Sequence, residues 1–257
     1  MSMHATAILD PGARVGRDVE IGPYAVLGAG VTVGDRCRIG PHACLQGPLE
    51  LGEECVVGAG AVLGGDPQVK GKPGPFGAAR IGRRCIFREL SQVNRSMLPD
   101  GTTVIGDDGY FMATAHVAHD CVVGNDVVLC NGALLAGHVE VQDRAFVSGG
   151  VVIHQFVRIG ELAMIGGNAA IHLDLPPFCM AVGERPRSLE GLNLVGLRRA
   201  GLSAEVRRAL QAAYRTLFRS EATLAERLEA VPCDVSEVAR LVGFIKASQR
   251  GVIGFRG

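Results

Sequence analysis

The stretch VAHDCVVGNDVVLCNGALLAGHVEV, residues 117–141, carries an aliphatic residue at every sixth position. An amphipathic helix repeats near 3.6 residues and a half-buried strand repeats at two, so a sustained period of six fits neither one alone. It predicts a parallel β-helix in which each coil has three flat sides of six residues and the aliphatic side chains point inward. The aliphatic positions of the stretch are Val117, Val123, Leu129, Leu135 and Val141.

The same six-residue repeat covers most of the chain, from Val15 until it ends at Pro176 and Pro177. The second position of each repeat is usually glycine, which we expect to ease the corners. Two interruptions, near residues 64–80 and 96–103, leave the phase and rejoin it, as loops extruded from one face of a solenoid do. We therefore expect both segments to form loops that take part in function.

The residues after the repeats predict a helical tail. Ser203 is the expected N-cap of a helix whose apolar side carries Val206, Leu210, Ala213 and Leu217. Further helices are expected near residues 223–230 and 235–248. The sequence thus predicts a β-helix over residues 1–190 and an α-helical domain over residues 191–257.

Composition restricts the class of protein. The chain has 257 residues, of which 47% are hydrophobic, enough to bury a core, and its formal net charge of +0 gives no argument for nucleic-acid binding. The amino terminus has no basic region followed by an apolar run, and no stretch of about 18 apolar residues occurs. We therefore expect a cytoplasmic protein without stable membrane insertion.

Cysteines are numerous but do not indicate disulfides or a metal site. There are eight, without a CxxC pair. Four of them share the small inward position of the repeat, where a reduced thiol is a compact buried group. These four are Cys37, Cys55, Cys85 and Cys121.

Histidines converge on one edge of the predicted prism. Residues eighteen apart stack one strand spacing, about 4.8 Å, above each other. His119 therefore lies beneath Gly137, and Ala136 lies beneath His154. We expect His116 at the corner entering this side and His119 on a flat face. The side chains predicted to meet are His116, His119, His138, His154 and Gln155.

This cluster favours acyl transfer to a hydroxyl. A neutral imidazole, His119, can take the hydroxyl proton as the oxygen attacks a thioester. Asp120 follows it in sequence and can orient the ring. The backbone N–H of Gly137 can stabilise the oxyanion of the tetrahedral intermediate.

Other interpretations remain open. Cys121 could be a nucleophile, but its inward position indicates packing. His116, His119 and His138 could bind zinc, although no carboxylate or thiol is expected to complete the set, and we predict no metal. A metal-dependent hydrolase would need such a site. A solenoid without catalytic activity, acting as a scaffold or binding module, is the remaining class.

Five motifs stand out along the chain: HVAHDCVVGN from His116, LLAGHVEV from Leu134, IHQFVRIG from Ile153, DLPPF from Asp174 and GLNLVGLRRAG from Gly191. They resemble the UDP-N-acetylglucosamine O-acyltransferase family, hexapeptide-repeat enzymes that begin lipid A synthesis. The similarity covers essentially the whole chain. It implies a left-handed β-helix, a homotrimer with active sites between neighbouring rods, and transfer of a 3-hydroxyacyl group from acyl carrier protein to the 3-position of the UDP-sugar.

The resemblance also implies roles by position. His119 would be the base, Asp120 its orienting partner and Gly137 the oxyanion donor. Gly167 would set acyl-chain length. No cofactor is implied beyond the phosphopantetheine of the carrier protein. Acyl carrier proteins are acidic, which suits the arginine-rich tail of this chain. The implied substrate-binding residues are Gln68, Lys70, Asn94, His116, His138, His154, Gln155, Asn193 and Arg199.

The chain departs from the family pattern near the acceptor. In the first loop Val69 replaces an aspartate, and either Lys70 or Lys72 could be the family's lysine. Asn94 replaces a histidine, and Val195 replaces a common glutamate. The alternative acceptor is therefore the amine of a 3-amino UDP-sugar or another UDP-sugar, acylated by the same mechanism.

Overall fold

The computed structural model describes residues 1–72, 74–184, 186 and 188–254. Within these residues the chain forms a three-sided rod of short parallel strands followed by four helices. The rod is the expected left-handed parallel β-helix. Pro73 of the predicted first loop and the last three residues of the predicted helical domain lie outside the described residues.

The three sides are named A, B and C in the order in which the chain visits them. Side A contains Ser2–Met3, Glu20–Ile21, Arg38–Ile39, Val56–Val57, Ile86–Phe87, Tyr110–Phe111, Val128–Leu129, Phe146–Val147, Met164–Ile165, Cys179–Ala181 and, antiparallel at its end, Gly191–Leu192. Side B contains Ile8–Leu9, Val26–Leu27, Cys44–Leu45, Val62–Gly65, Gln92–Asn94, His116–Val117, Leu134–Leu135, Val152–Ile153 and Ala170–Ile171. Side C contains Arg14–Val15, Val31–Val33, Leu49–Leu51, Ala78–Ile81, Thr102–Ile105, Val122–Val123, Glu140–Val141 and Arg158–Ile159.

The strand register shows where the loops enter. Most stacked partners are eighteen residues apart, as in the pairing of Val26 with Cys44. Leu49 instead pairs with Ala79, thirty residues later, and Ala78 pairs with Thr102, twenty-four residues later. The two insertions therefore occupy residues 66–77, here loop 1, and residues 95–101, here loop 2. Both lie within or close to the predicted interruptions.

Glycine at the second position of the repeat serves close packing between coils. A β-carbon at Gly34 would lie 2.6 Å from the backbone nitrogen of Glu53 in the next coil. Positive φ angles fall instead at the fourth position, for example 61° at Asp120 and 60° at His138. The expectation that these second-position glycines ease the corner is therefore wrong, because the left-handed residue is a different one.

The interior of the rod is apolar, as the repeat predicts. The aliphatic position of each repeat is buried from Ile21 to Ile171, and Phe87 stacks on Phe111 with ring centroids 4.6 Å apart. Burying such side chains stabilises the fold by about 1.5–3 kcal/mol each. All four cysteines of the small position are buried.

The tail forms four helices: α1, Leu194–Arg199; α2, Ala204–Arg219; α3, Leu224–Ala230; and α4, Ser236–Lys246. The hydroxyl of Ser203 accepts a hydrogen bond from the backbone N–H of Val206, which confirms the predicted N-cap of α2. Helix α3 begins with a capping box formed by Thr223 and Glu226. Helix α1 was not predicted. Among the described residues no helix is long and apolar enough to cross a membrane.

The tail is held against the top of the rod by charged and aromatic contacts. Asp174 is buried and accepts hydrogen bonds from the backbone N–H of Arg158, at 2.9 Å, and the hydroxyl of Ser248, at 2.8 Å. The guanidinium of Arg158 lies 4.3 Å from the ring centroid of Phe244 in α4. These contacts fix the helices on the last coils of the rod.

Candidate active site

One edge of the rod carries both loops and most of the predicted site residues. It is the edge at which side B turns into side C, here the B–C edge. From the base upward, successive coils place there loop 1, loop 2 and then three turns. These turns contain His119 and Asp120, Gly137 and His138, and Gln155 and Phe156.

The stacking at this edge is as predicted, but the positions within the coil are not. His116 lies in a strand of side B, whereas His119 and Asp120 form the turn that follows. The expectation of His116 at a corner and His119 on a flat face is therefore wrong. The period of six gives the stacking but does not say which residue of each repeat adopts the left-handed turn conformation. That residue is Asp120 here.

Asp120 is the centre of the hydrogen-bond network. Its side chain is 8% exposed. The hydroxyl of Ser96 donates to Oδ1, while the backbone N–H of Met97, at 3.2 Å, and Nδ1 of His119, at 2.8 Å, reach Oδ2. The backbone N–H of Asp120 donates to the hydroxyl of Thr103 at 2.8 Å. The carboxylate is thus held by three donors.

These donors keep the carboxylate ionised. Burial by itself favours the neutral acid, but the hydrogen bonds from Ser96, His119 and the N–H of Met97 outweigh it and lower the pKa of Asp120 below its usual value. An ionised carboxylate only accepts hydrogen bonds, so Nδ1 of His119 carries the proton. In the neutral imidazole of His119, the free lone pair is then on Nε2.

Gly137 lies against the imidazole of His119. A β-carbon at residue 137 would be 2.5 Å from Cε1 and 2.7 Å from Nε2 of His119. Among the described residues no acceptor is hydrogen-bonded to the N–H of Gly137. The predicted stacking of these two residues is confirmed, and it brings an unused backbone donor beside the imidazole.

His138 lies next to both Asp120 and His119. Its Nε2 lies 3.8 Å from Oδ2 of Asp120, and its ring meets that of His119 edge-on, with centroids 5.2 Å apart. Phe156 stacks on the ring of His138, with ring centroids 4.6 Å apart. The ring of Phe156 therefore limits the rotation of His138.

His119, Asp120 and His138 could together hold a metal ion, because one ligand atom from each lies within 4.8 Å of the others. The expectation that no carboxylate completes the histidine set is therefore wrong. His116 is not part of that group. The absence of a metal requirement stays a prediction.

The remaining histidines of the edge differ in burial. Burial, and then the positive charge that nearby His119 carries when it is protonated, lowers the pKa of His116, which favours the neutral form of His116 at pH 7. His154 is exposed one coil above Ala136, and its Nδ1 lies 3.1 Å from the carbonyl of Gln155 and 3.3 Å from the guanidinium of Arg250. His154 and Gln155 thus extend the edge upward, as predicted.

Loop 1 projects from the edge beneath the histidines. Gln68 and Lys70 are exposed, and Lys72 is partly exposed. Asn94 is 5% exposed, and its amide nitrogen donates to the carbonyl of Asp66 at 2.9 Å, so it holds the base of the loop. Its Oδ1 has no hydrogen-bond partner among the described residues.

Asn193 and Arg199 lie elsewhere on the chain. They line a cleft of about 850 Å³ between side A and α1, with Phe146, Met164 and Val195 among its apolar walls. Asn193 caps α1, because its Oδ1 accepts the N–H of Gly196 at 3.0 Å, while its Nδ2 donates to the carbonyl of Leu162 at 2.9 Å. In a three-sided rod the B–C edge is the edge that does not border side A. Within one chain the two groups are therefore on opposite sides.

Gly167 occupies a third position. It follows a strand of side A, in the turn toward side B, and is exposed. A β-carbon there would lie 3.3 Å from the carbonyl oxygen of Gly149 in the coil below. The structure thus brings His119, Asp120, Gly137, His138, His154 and Gln155 to the B–C edge, with His116 on side B just before it, but not Asn193, Arg199 or Gly167.

Cys121 has the environment of a packing residue. It is fully buried, its thiol donates to the carbonyl of Ala136 at 3.2 Å, and burial raises its pKa to about 12. A thiol needs to ionise near neutral pH to act as a nucleophile. The prediction that Cys121 is buried packing is confirmed.

Four side chains at this edge were not predicted from the sequence: Ser96, Thr103, Phe156 and Arg250. Ser96 and Thr103 come from loop 2 and the strand after it, and the insertion hides their register with Asp120. Phe156 stacks on His138 eighteen residues earlier, so the repeat itself could have identified it. Arg250 reaches His154 from the end of the tail, and no sequence pattern indicates that contact.

Similar proteins show the family to which this chain belongs. The model of a family described as Udp N-acetylglucosamine O-acyltransferase, domain 2, matches residues 174–253, and the bacterial transferase hexapeptide model matches residues 12–47 and 31–65. A relative from Anaeromyxobacter dehalogenans, named as an acyl-(acyl carrier protein) UDP-N-acetylglucosamine O-acyltransferase, is 48% identical over 98% of this chain and 99% of its own. The chain belongs to the UDP-N-acetylglucosamine O-acyltransferase family.

Other members of the UDP-N-acetylglucosamine O-acyltransferase family support this assignment. A relative of the same name from Burkholderia orbicola is 46% identical over 98% of both chains. The solved UDP-N-acetylglucosamine acyltransferase from Campylobacter jejuni superposes with a TM-score of 0.93 at 35% identity, covering 99% of this chain and 100% of that one. The enzyme from Francisella novicida gives 0.94 at 29% identity, covering 98% and 93%. The fold and family expected from the motifs are confirmed.

Proposed function

We propose that this acyltransferase moves a 3-hydroxyacyl group from acyl carrier protein to the 3-hydroxyl of UDP-N-acetylglucosamine, the first step of lipid A biosynthesis. The names of its relatives support this donor and acceptor. The observation that carries the mechanism is the arrangement of Asp120, His119 and Gly137, in which a carboxylate orients an imidazole beside a free backbone N–H.

The geometry supports His119 as the general base. Asp120 holds Nδ1, so Nε2 can take the proton of the acceptor hydroxyl while its oxygen attacks the carbonyl carbon of the thioester. The N–H of Gly137 donates to the oxyanion of the tetrahedral intermediate. When the intermediate collapses, the carbon–sulfur bond breaks, and the proton on His119 passes to the departing phosphopantetheine sulfur. The products are the acyl ester and the free thiol, and no further cofactor takes part.

The other residues of the B–C edge surround this centre. His116, His138, His154 and Gln155 line it, and loop 1 offers Gln68 and a lysine, Lys70 or Lys72, from below. We assign them to binding of the UDP-sugar and the donor. Asn94 would act indirectly, since it is buried at the base of loop 1.

We propose a homotrimer in which the B–C edge of one rod faces side A of its neighbour. The support is that Asn193 and Arg199 lie across the rod from His119 within one chain. Their cleft combines apolar walls with arginines, which suits an acyl chain and a phosphate. Gly167 would then set the length of the acyl chain from the neighbouring edge of the rod.

The tail suits an acidic carrier protein. Its arginines are mostly exposed or partly exposed, and complementary charge accelerates and orients association. All eight cysteines are free, which fits the reducing cytoplasm as the compartment. The arginines are Arg198, Arg199, Arg207, Arg208, Arg215 and Arg219.

The acceptor is the part of the proposal to test first. Val69 and Asn94 replace family residues in and beneath loop 1, so a 3-amino UDP-sugar is the alternative acceptor. Purified protein should be incubated with 3-hydroxyacyl carrier proteins and with either UDP-N-acetylglucosamine or its 3-amino analogue. Ester formation on the first sugar supports the proposal. Transfer to the amino sugar alone would replace the proposed acceptor, and transfer to neither would reject acyl transfer to these sugars.

A further inference from the structure

Ser96 lies beneath the Asp120–His119 pair and has a contact that packing alone does not require. It belongs to loop 2 and is fully buried. Its hydroxyl donates to Oδ1 of Asp120 and accepts the backbone N–H of Leu98 at 3.0 Å. The carbonyl of Leu98, 3.2 Å away, is a more distant and uncharged acceptor. The proton of Ser96 therefore points to the carboxylate.

The surroundings of Ser96 leave its side chain little freedom. A β-carbon at Gly101 would overlap the Ser96 hydroxyl, which shows how closely loop 2 wraps around it. The hydroxyl of Thr103 accepts the backbone N–H of Asp120 and fixes the turn from the same side. The Ser96 hydroxyl is therefore held in place by loop 2 itself.

The backbone of Ser96 connects this network to loop 1. Its N–H donates to the carbonyl of Ala78 at 3.1 Å, and its carbonyl accepts the N–H of Gly77 at 3.0 Å. Gly77 and Ala78 mark the point where loop 1 rejoins the rod. Ser96 is thus bonded on one side to the loop that carries Gln68 and Lys70, and on the other side to the carboxylate that orients His119.

We propose that Ser96 is a positioning residue for acyl transfer, acting on His119 through Asp120. The inference rests on the proposed function, because it gives Ser96 a role only if His119 is the base. The Ser96 hydroxyl fixes one carboxylate oxygen, so the other remains aligned with Nδ1 of His119. Without it, Asp120 can turn toward the backbone N–H of Met97, and His119 loses its fixed tautomer and orientation.

A double-mutant cycle tests this role. Ser96→Ala, Asp120→Ala and the double variant are assayed for transfer to the acceptor sugar, with kcat and the KM of both substrates measured separately. Loss of a hydrogen bond to a charged group predicts a fall in kcat of about 10- to 100-fold for Ser96→Ala, with little change in KM. In the Asp120→Ala background the same change should cost less than about threefold, because its partner is gone.

Ser91 provides the matched control. It is 1% exposed in the same coil, and its hydroxyl donates to the carbonyl of Arg88 at 2.8 Å, away from Asp120. Ser91→Ala should retain the wild-type kcat even where it lowers Tm. If Ser96→Ala does not fold, Ser96→Cys, which replaces the hydroxyl by a larger thiol that is a weaker donor, enters the same cycle with the same expected pattern.

The outcomes separate this inference from the proposed function. An unchanged kcat in Ser96→Ala, or an equal loss with and without Asp120, would overturn the role of Ser96 while leaving His119 as the base. Failure of the wild type and of Ser91→Ala to transfer any acyl group would instead reject the proposed function.

Discussion

The α-carbon of Gly137 faces the imidazole of His119 so closely that a β-carbon on residue 137 would lie 2.5 Å from Cε1. Gly137→Ala must therefore displace the ring of His119 or move the turn of the coil above. We expect kcat to fall by about 100-fold or more, the effect of losing an aligned base or an oxyanion donor. Steady-state kinetics measure the loss of kcat, and Tm measures any loss of stability caused by moving the turn.

Gly28→Ala is the control for that substitution. A β-carbon at Gly28 would make an ordinary contact, 3.4 Å from the carbonyl of Leu45. This variant should keep the wild-type kcat. Equal activity of Gly137→Ala and Gly28→Ala would show that the contact with His119 has no role in transfer.

Cys121 should be dispensable for catalysis. Its thiol is buried inside the rod, so it cannot reach a thioester, and its raised pKa keeps it protonated. Cys121→Ala should keep kcat and show a lower Tm, because volume is lost from the core. Formation of an acyl-thioester on Cys121, detected by mass spectrometry of the intact protein, would contradict a direct attack by the acceptor.

His116 should make stability depend on pH. Its pKa is lowered by burial and by His119, so the folded chain favours the neutral imidazole. Its contribution to stability is present above the usual histidine pKa, about 6.5, and is lost as the pH falls through the lowered value. The Tm of the wild type should therefore drop between pH 7 and pH 5. The Tm of His116→Gln should drop by less over the same range. Each kcal/mol of unfolding free energy corresponds to roughly 2–4 °C in Tm.

The control for this measurement is His42→Gln. His42 is exposed in a lower coil and stacks on Tyr24. Its replacement should leave the pH dependence of Tm as in the wild type. Parallel Tm curves for the wild type and His116→Gln would refute the role given to His116.

A site shared between subunits should show complementation. His119→Ala and Arg199→Ala are each expected to be inactive alone, because they remove the base and a phosphate contact. In mixed trimers, some interfaces pair an intact His119 edge with an intact Arg199 cleft. Co-expression with two affinity tags should therefore recover activity in the doubly purified species. No recovery would mean that both residues serve the same chain, contrary to the proposed trimer.

The sequence predicts the rod well because its signal is periodic. A period of six residues determines which side chains point inward and which residues stack, and this places Gly137 over His119. The period does not give the conformation at each position. The assignment of His116 to a corner was therefore wrong, since the left-handed residue of that repeat is Asp120.

The insertions set the limit of prediction for the site. Loop 2 shifts the register from eighteen to twenty-four residues, so counting along the chain cannot show that Ser96 meets Asp120. Helix α1 has only six residues, too few to show a clear periodicity, and it went unpredicted. The distance between Arg199 and His119 depends on how the tail folds back, which no repeat encodes.

The most direct measurement is the rate of acyl transfer to UDP-N-acetylglucosamine by His119→Ala, compared with the wild type and with His42→Ala. All three proteins should have matching circular dichroism spectra. Loss of the general base predicts a fall in kcat of about 10²- to 10⁴-fold for His119→Ala and no change for His42→Ala. Transfer by His119→Ala at the wild-type rate would contradict the assignment of His119 as the base.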